Sequence, residues 1–187
     1  MLVAISGSQG SGKSTVLNKL EEMGHNVVSR KTSRSILTDW GVTLQEVNNN
    51  HELTVKFQDE ILQRKRLDEL PYENDKELWF TERTFADLFT YAVITLGKDN
   101  EYSDYIDRYF EACKKCQQLY SRVFYIEGGM FEVEHDGVRG SNQFYSIMAD
   151  VSMRKFTWMM TSKFTPITLS HIDDRVDFIR EVVYSSK

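Results

Sequence analysis

Gly7-Ser8-Gln9-Gly10-Ser11-Gly12-Lys13-Ser14, with Thr15 behind it and the apolar run Leu2-Val3-Ala4-Ile5 in front, decides how the rest of the chain reads. The octet fits G-x-x-x-x-G-K-[ST], the phosphate-cradling loop. A buried strand delivers the chain, and glycines let backbone N–H groups turn toward one point. Lys13 then reaches the β- and γ-phosphates, and the hydroxyl of Ser14 ligates Mg²⁺. Val16 to Met23 reads as a helix closed by Gly24, whose positive N-terminal end faces the same anion. A Gly/Ser-rich turn that merely ends in Lys-Ser would need neither that strand nor that helix. A nucleoside triphosphate site is therefore the premise for everything downstream.

At 187 residues, 41% hydrophobic and 27% charged, the sequence fits one α/β domain over residues 1–187. The formal charge of −5 argues against a general affinity for duplex DNA or an anionic membrane, either of which usually shows as a basic face. No run of 18 apolar residues occurs, and the N-terminus enters the first strand at once, with no room for a signal peptide. A cytoplasmic protein is expected. Cys113 and Cys116 have no second Cys pair and no His-x₃₋₅-His partner to complete a zinc site, so they read as spectator thiols. His25, His51, His135 and His171 are scattered and fit no ligand spacing.

Downstream of the loop, Asn26 to Ser29 returns as a short second strand, giving a right-handed parallel βαβ unit. Arg30-Lys31-Thr32-Ser33-Arg34 follows, three cations in five residues at the carboxyl edge of a sheet, where ligands bind. Cations at a helix start oppose its dipole, so a bound anion makes better sense of them than a solvated surface. Asn48-Asn49-Asn50 marks a turn, and Leu53, Phe57, Ile61 and Leu62 place a helix over Glu52 to Glu69 that Pro71 stops. Glu77 to Thr81 reads as a third strand ending in Glu82-Arg83. A carboxylate there gives Mg²⁺ or its water a hard oxygen partner, and Arg83 lies within reach of phosphates.

A helix over Tyr102 to Leu119 leads to a fourth strand, Arg122 to Ile126, with Glu127 at its end. Glu127 repeats the local pattern of Glu82, and the two stand as rivals for the metal-associated carboxylate. Residues 128–143, with four glycines bracketing Arg139, form a candidate lid that brings this arginine over the phosphates. Phe144 to Met160 reads as a helix, Thr165 to Leu169 as a fifth strand, and the segment after Asp174 as a final amphipathic helix. Alternating strands and helices predict a parallel five-stranded sheet with helices on both faces.

With the P-loop, the Glu82-Arg83 pair and Asp136-Gly137-Val138-Arg139 in place, the chain resembles the P-loop nucleoside and nucleotide kinases. It is most similar to small phage deoxynucleoside monophosphate kinases and to the nicotinamide-riboside-kinase-like group. The resemblance implies a Rossmann-like P-loop kinase fold with strand order 2-3-1-4-5, ATP as donor and Mg²⁺ as cofactor. It also implies that Glu82-Arg83 stands between acceptor and donor and that Arg139 is the lid arginine. For a phage-encoded chain the compartment would be the host cytoplasm.

Kinases acting on a sugar hydroxyl commonly carry a carboxylate just after the second strand. Here Ser29 to Arg34 holds no acid. A phosphate acceptor is already an anion and needs cations rather than a base. The expected reaction is phosphoryl transfer from ATP to a (deoxy)nucleoside monophosphate. Gly7, Gln9, Gly10, Ser11, Gly12, Lys13, Ser14 and Thr15 would hold the donor, Ser14 and Glu82 the metal, and Arg30, Lys31, Arg34 and Arg83 the acceptor. Lys13, Glu82, Arg83 and Arg139 would be the catalytic set. A kinase for a hydroxyl of a nucleoside or of a modified base in DNA is the alternative, as is a nucleotide-dependent regulatory NTPase. The short chain argues against a ring-forming ATPase, and a homodimer is left open.

Overall fold

The computed structural model describes residues 1–28, 32–128 and 143–185. At its centre, β1 (Leu2–Ser6) is buried along its whole length, as an apolar run flanked by parallel strands must be. β1 pairs with β3 (Trp79–Glu82) on one side and β4 (Arg122–Ile126) on the other, and β2 (Asn26–Val27) and β5 (Phe164–Ile167) form the edges. All four pairings are parallel, and the spatial order is 2-3-1-4-5. The predicted sheet is thus observed.

Three strand limits differ from the sequence reading. β2 is only two residues long, although the N–H of Val28 still donates to Phe80 O at 2.8 Å; Ser29 lies outside the described residues. β3 starts two residues late because the ladder begins where Trp79 meets Leu2, and it includes Glu82 opposite Ile5. β5 is displaced toward the N-terminus, leaving Leu169 beyond the strand and partly exposed.

β1 alternates between two cores. Val3 and Ile5 pack with Phe80, Phe124 and Ile167 against α1 (Lys13–Glu22) and α8 (Ile172–Tyr184), through Val16, Leu17, Leu20, Val176, Ile179 and Val183. Leu2 and Ala4 face the larger core, contributed by α2 (Thr32–Trp40), α3 (Leu44–Asn48), α4 (His51–Glu69), α5 (Phe85–Leu96), α6 (Ser103–Cys116) and α7 (Gln143–Met160). Helices therefore cover both faces, as β-α alternation requires.

Helix starts follow the local chemistry. Asn50, last of the three asparagines, caps α4 by accepting from Leu53 N, and Thr84 caps α5 by accepting from Asp87 N. α7 leaves Phe144, Ile147, Met148, Val151, Trp158 and Met159 exposed. Cys113 is buried, Cys116 half-buried, and both are free thiols. Among the described residues no cluster of three or more His, Cys, Asp or Glu could hold a metal, and no helix is long and apolar enough to cross a membrane.

Candidate active site

The end of β1 delivers the chain into the glycine-rich loop. Gly7 has φ 145°, and a Cβ there would lie 2.3 Å from the carbonyl oxygen of Ile126, so only glycine fits between this loop and β4. Gly12 takes φ 89° as the residue before α1, and the first turn of that helix holds no acidic side chain. The helix thus presents its N–H groups and the positive end of its dipole without an internal counter-charge.

Lys13 is 5% exposed, and its Nζ donates to Ser8 O at 2.6 Å and Ser11 Oγ at 3.3 Å. The ammonium is therefore folded back over the loop. Ser14, the next residue, is exposed, and its Oγ donates to Glu82 Oε1 at 3.0 Å. Sixty-eight residues separate this pair, and the β1–β3 pairing brings them together.

Arg83 follows in the left-handed region at φ 67°, the only non-glycine residue to do so among the described residues. For a side chain with a Cβ that conformation costs about 1–3 kcal/mol and persists only where the surroundings enforce it. Its guanidinium lies 5.7 Å from the centroid of the Tyr91 ring. Burial works against its charge, but Tyr91, Asp87 and Glu82 outweigh burial and hold its pKa above the ordinary arginine value.

Asp87 lies behind the loop, fully buried. Its Oδ1 accepts from Ser6 Oγ at 2.5 Å and Thr84 Oγ1 at 2.6 Å, while Oδ2 is buried with no hydrogen-bond partner. Burial pushes this carboxyl above its usual pKa, against the opposing effect of the two hydroxyls and of the Arg83 and Lys13 charges. Asp87 is not among the residues that the sequence singled out.

Glu127, the rival carboxylate, pairs with Arg154 Nη1 at 2.8 Å; of the two acids, Glu82 is the one bonded to Ser14. Arg34 is exposed on α2. Arg30, Lys31 and Arg139, with most of the candidate lid, lie outside the described residues. Trp40 and Phe57 pack edge to face within the larger core, and Phe144 is 79% exposed.

Sequence reading also missed Arg175. Its side chain is wholly buried, with Nη1 donating to Ser11 O at 2.7 Å and Nε to Leu169 O at 2.6 Å. The signal was available, since position 175 falls beside the apolar stripe of Val176, Ile179 and Val183 on α8.

The donor set suits a magnesium nucleotide. Ser14 and Glu82 bring two hard oxygen donors to one point, and glycine at position 7 leaves no side chain between the loop and β4. Gln9 Nε2 is a buried donor without a hydrogen-bond partner in the same loop.

Residues 2–148 match the model of the AAA domain family. The chain belongs to that family. This AAA domain shares its fold with a deoxyadenosine kinase from M. mycoides with bound dATP (TM-score 0.72, 15% identity, 98% of this chain and 100% of that one). It is also similar to a NadR protein in complex with NR (0.67, 12%, 96% of this chain and 50% of that one). A third is the shikimate kinase from Acinetobacter baumannii in complex with shikimate (0.54, 13%, 100% and 94%). At these identities the likeness is one of fold, the five-stranded P-loop kinase fold. No curated protein matches the sequence at a significant level.

Proposed function

We propose that this AAA domain, read as one domain over residues 1–187, transfers the γ-phosphoryl group of ATP to a (deoxy)nucleoside monophosphate, giving the diphosphate. The observation that carries the reading is the Ser14–Glu82 bond beside a buried Lys13, with Arg83 on the next residue. The loop binds the donor phosphates through Gly7 to Thr15. Lys13 exchanges its internal acceptors, Ser8 O and Ser11 Oγ, for phosphate oxygens. Ser14 and Glu82 would hold Mg²⁺, which when bound would supply positive charge against that developing on the donor phosphates. Arg83, held above its ordinary pKa, stays cationic and would meet the acceptor phosphate, with Arg30, Lys31, Arg34 and Arg139 as further cations for the phosphates. Such a site works by positioning and electrostatic stabilisation.

A monophosphate acceptor is supported by the acid-free stretch Ser29 to Arg34, which supplies cations and no base. The shared fold with a deoxyadenosine kinase bearing dATP is in keeping with a nucleotide substrate. The net charge of −5 keeps duplex DNA outside the reading. A homodimer belongs to it, since Phe144, Val151 and Trp158 repeat every seven residues along the exposed side of α7, a spacing a second α7 would match.

Incubation with labelled ATP and Mg²⁺ against nucleosides, monophosphates and hydroxyl-bearing DNA tests the assignment. Labelled diphosphate supports it. Label on a free nucleoside or on DNA would move the assignment to a hydroxyl kinase. Membership of the AAA domain family favours a second reading, a nucleotide-dependent regulator; slow ATP hydrolysis with no labelled acceptor would select it.

A further inference from the structure

Behind the Glu82–Arg83 step stands a buried ion pair. Lys65 and Glu69, one turn apart on α4, are 6% and 1% exposed, and Nζ lies 2.6 Å from Oε1. Thr81 Oγ1 donates to the same oxygen at 2.6 Å, and Tyr120 OH donates to Oε2 at 2.7 Å. Both carboxylate oxygens are thus engaged from β3 and from the approach to β4. The second bond of the ammonium leaves this cluster: Lys65 Nζ donates to the backbone carbonyl of Glu82 at 3.1 Å.

That carbonyl belongs to the peptide whose N–H is on Arg83, and this N–H donates to Ile5 O at 2.9 Å. One peptide unit is therefore gripped at both ends, by β1 through its N–H and by α4 through its oxygen. It is the unit that turns the chain into the left-handed conformation of Arg83. On one side of it hangs the carboxylate bonded to Ser14, on the other the guanidinium over Tyr91.

Stability alone is a weak reason for this arrangement, because apolar residues of similar volume replace buried ion pairs at little or no cost. Fixing a strained peptide is a better one. We propose that Lys65 is a positioning residue: its ammonium, oriented by Glu69, sets the Glu82–Arg83 peptide and so aims the metal-associated carboxylate and the neighbouring guanidinium. Lys65 acts through those two residues and touches no substrate. The inference rests on the phosphoryl-transfer reading of the site.

The test compares the parent with the charge-free pair Lys65→Met/Glu69→Gln, in which the glutamine oxygen still accepts from Tyr120 or Thr81. Each protein is assayed for thermal unfolding, for turnover, and for binding of a fluorescent ATP analogue with and without Mg²⁺. The double variant should unfold near the parental temperature and bind the analogue normally without Mg²⁺. Its kcat should fall by about 10²-fold, the cost of misplacing a group by an ångström. Its binding of the analogue should also lose most of its response to Mg²⁺. Lys65→Gln, which keeps a donor for Glu69 but falls short of the Glu82 carbonyl, carries the same expectation if the double variant does not fold. Parental kcat and Mg²⁺ response in either folded variant overturn the proposal. Failure of the phosphoryl-transfer reading shows separately, as a parent protein that labels no acceptor; the Mg²⁺ response of analogue binding then still decides the role of Lys65.

Discussion

Arg175 Nη1 donates to the backbone carbonyl of Ser11 across 164 residues of sequence, at 2.7 Å and out of contact with solvent. Its Nε meanwhile holds Leu169 O, so one guanidinium ties the turn after β5 to the glycine-rich loop. Burial lowers its pKa from the ordinary arginine value, yet arginine stays charged at any working pH. Each carbonyl left without its donor costs about 1–3 kcal/mol. Arg175→Met should therefore lower unfolding free energy by more than an ordinary surface change, read from urea denaturation. It should also weaken ATP-analogue binding, because the Ser11–Gly12 peptide loses its brace. An unfolding midpoint equal to the parent's would show that the brace is idle.

Lys13 Nζ donates within the loop, to Ser8 O and Ser11 Oγ. Replacing it by alanine removes the cation proposed to meet the donor phosphates and leaves the two cores intact. Turnover should fall by about 10²–10³-fold, the usual loss when one transition-state charge contact is deleted. Single-turnover kinetics with labelled ATP measure this, and circular dichroism should show an unfolding midpoint near the parent's.

Glu82 ends β3 and Glu127 follows β4, the two strands that flank β1, but they have different partners, Ser14 Oγ and Arg154 Nη1. Glu82→Gln keeps the shape and removes the charge. It should raise the half-saturating Mg²⁺ concentration at least about tenfold. Glu127→Gln should leave the Mg²⁺ titration where it was. Reversed outcomes would make Glu127 the metal-associated acid.

Asp87 gives the fold a pH dependence of definite sign. Burial raises its folded-state pKa above the ordinary 3.8. A carboxyl shifted upward stabilises the fold fully below its unfolded pKa, and that contribution is lost as pH rises through the folded value. Asp87→Asn cannot titrate. Its stability relative to the parent should therefore increase as pH is taken upward from 3.8, in parallel urea titrations. A difference that stays flat with pH would mean that the buried carboxyl keeps an ordinary affinity for its proton.

Much of this molecule was legible from residue order. The apolar run Leu2 to Ile5, the glycine loop and the alternation of strands with helices lead to the observed 2-3-1-4-5 sheet. Lys13, Ser14, Glu82 and Arg83 were named from motif and strand ends, and the structure gathers them at one sheet edge. Lys65, Glu69, Asp87 and Arg175 were passed over for a common reason. Periodicity treats a charged residue as outward-facing, whereas each of these lies on the apolar face of its helix and finds a partner only through tertiary contact. Positions 57, 61, 65 and 69 of α4 are all buried at four-residue steps, so two charges interrupting an apolar stripe were the available clue. The short length of β2 escaped because Val28 is apolar and still donates to Phe80 O although it lies beyond the paired residues.

Pro166 has a bearing on how copies of this protein behave in a crowded solution. Val123 and Glu127 donate to the carbonyls of Lys163 and Ile167, so the odd-numbered positions of β5 face β4 and alternation turns Pro166, with no N–H to offer, toward the open margin of the sheet. The opposite margin is only two residues long. Among the described residues, both borders are thus poor templates for an incoming extended segment, which guards the chain against polymerising through its backbone.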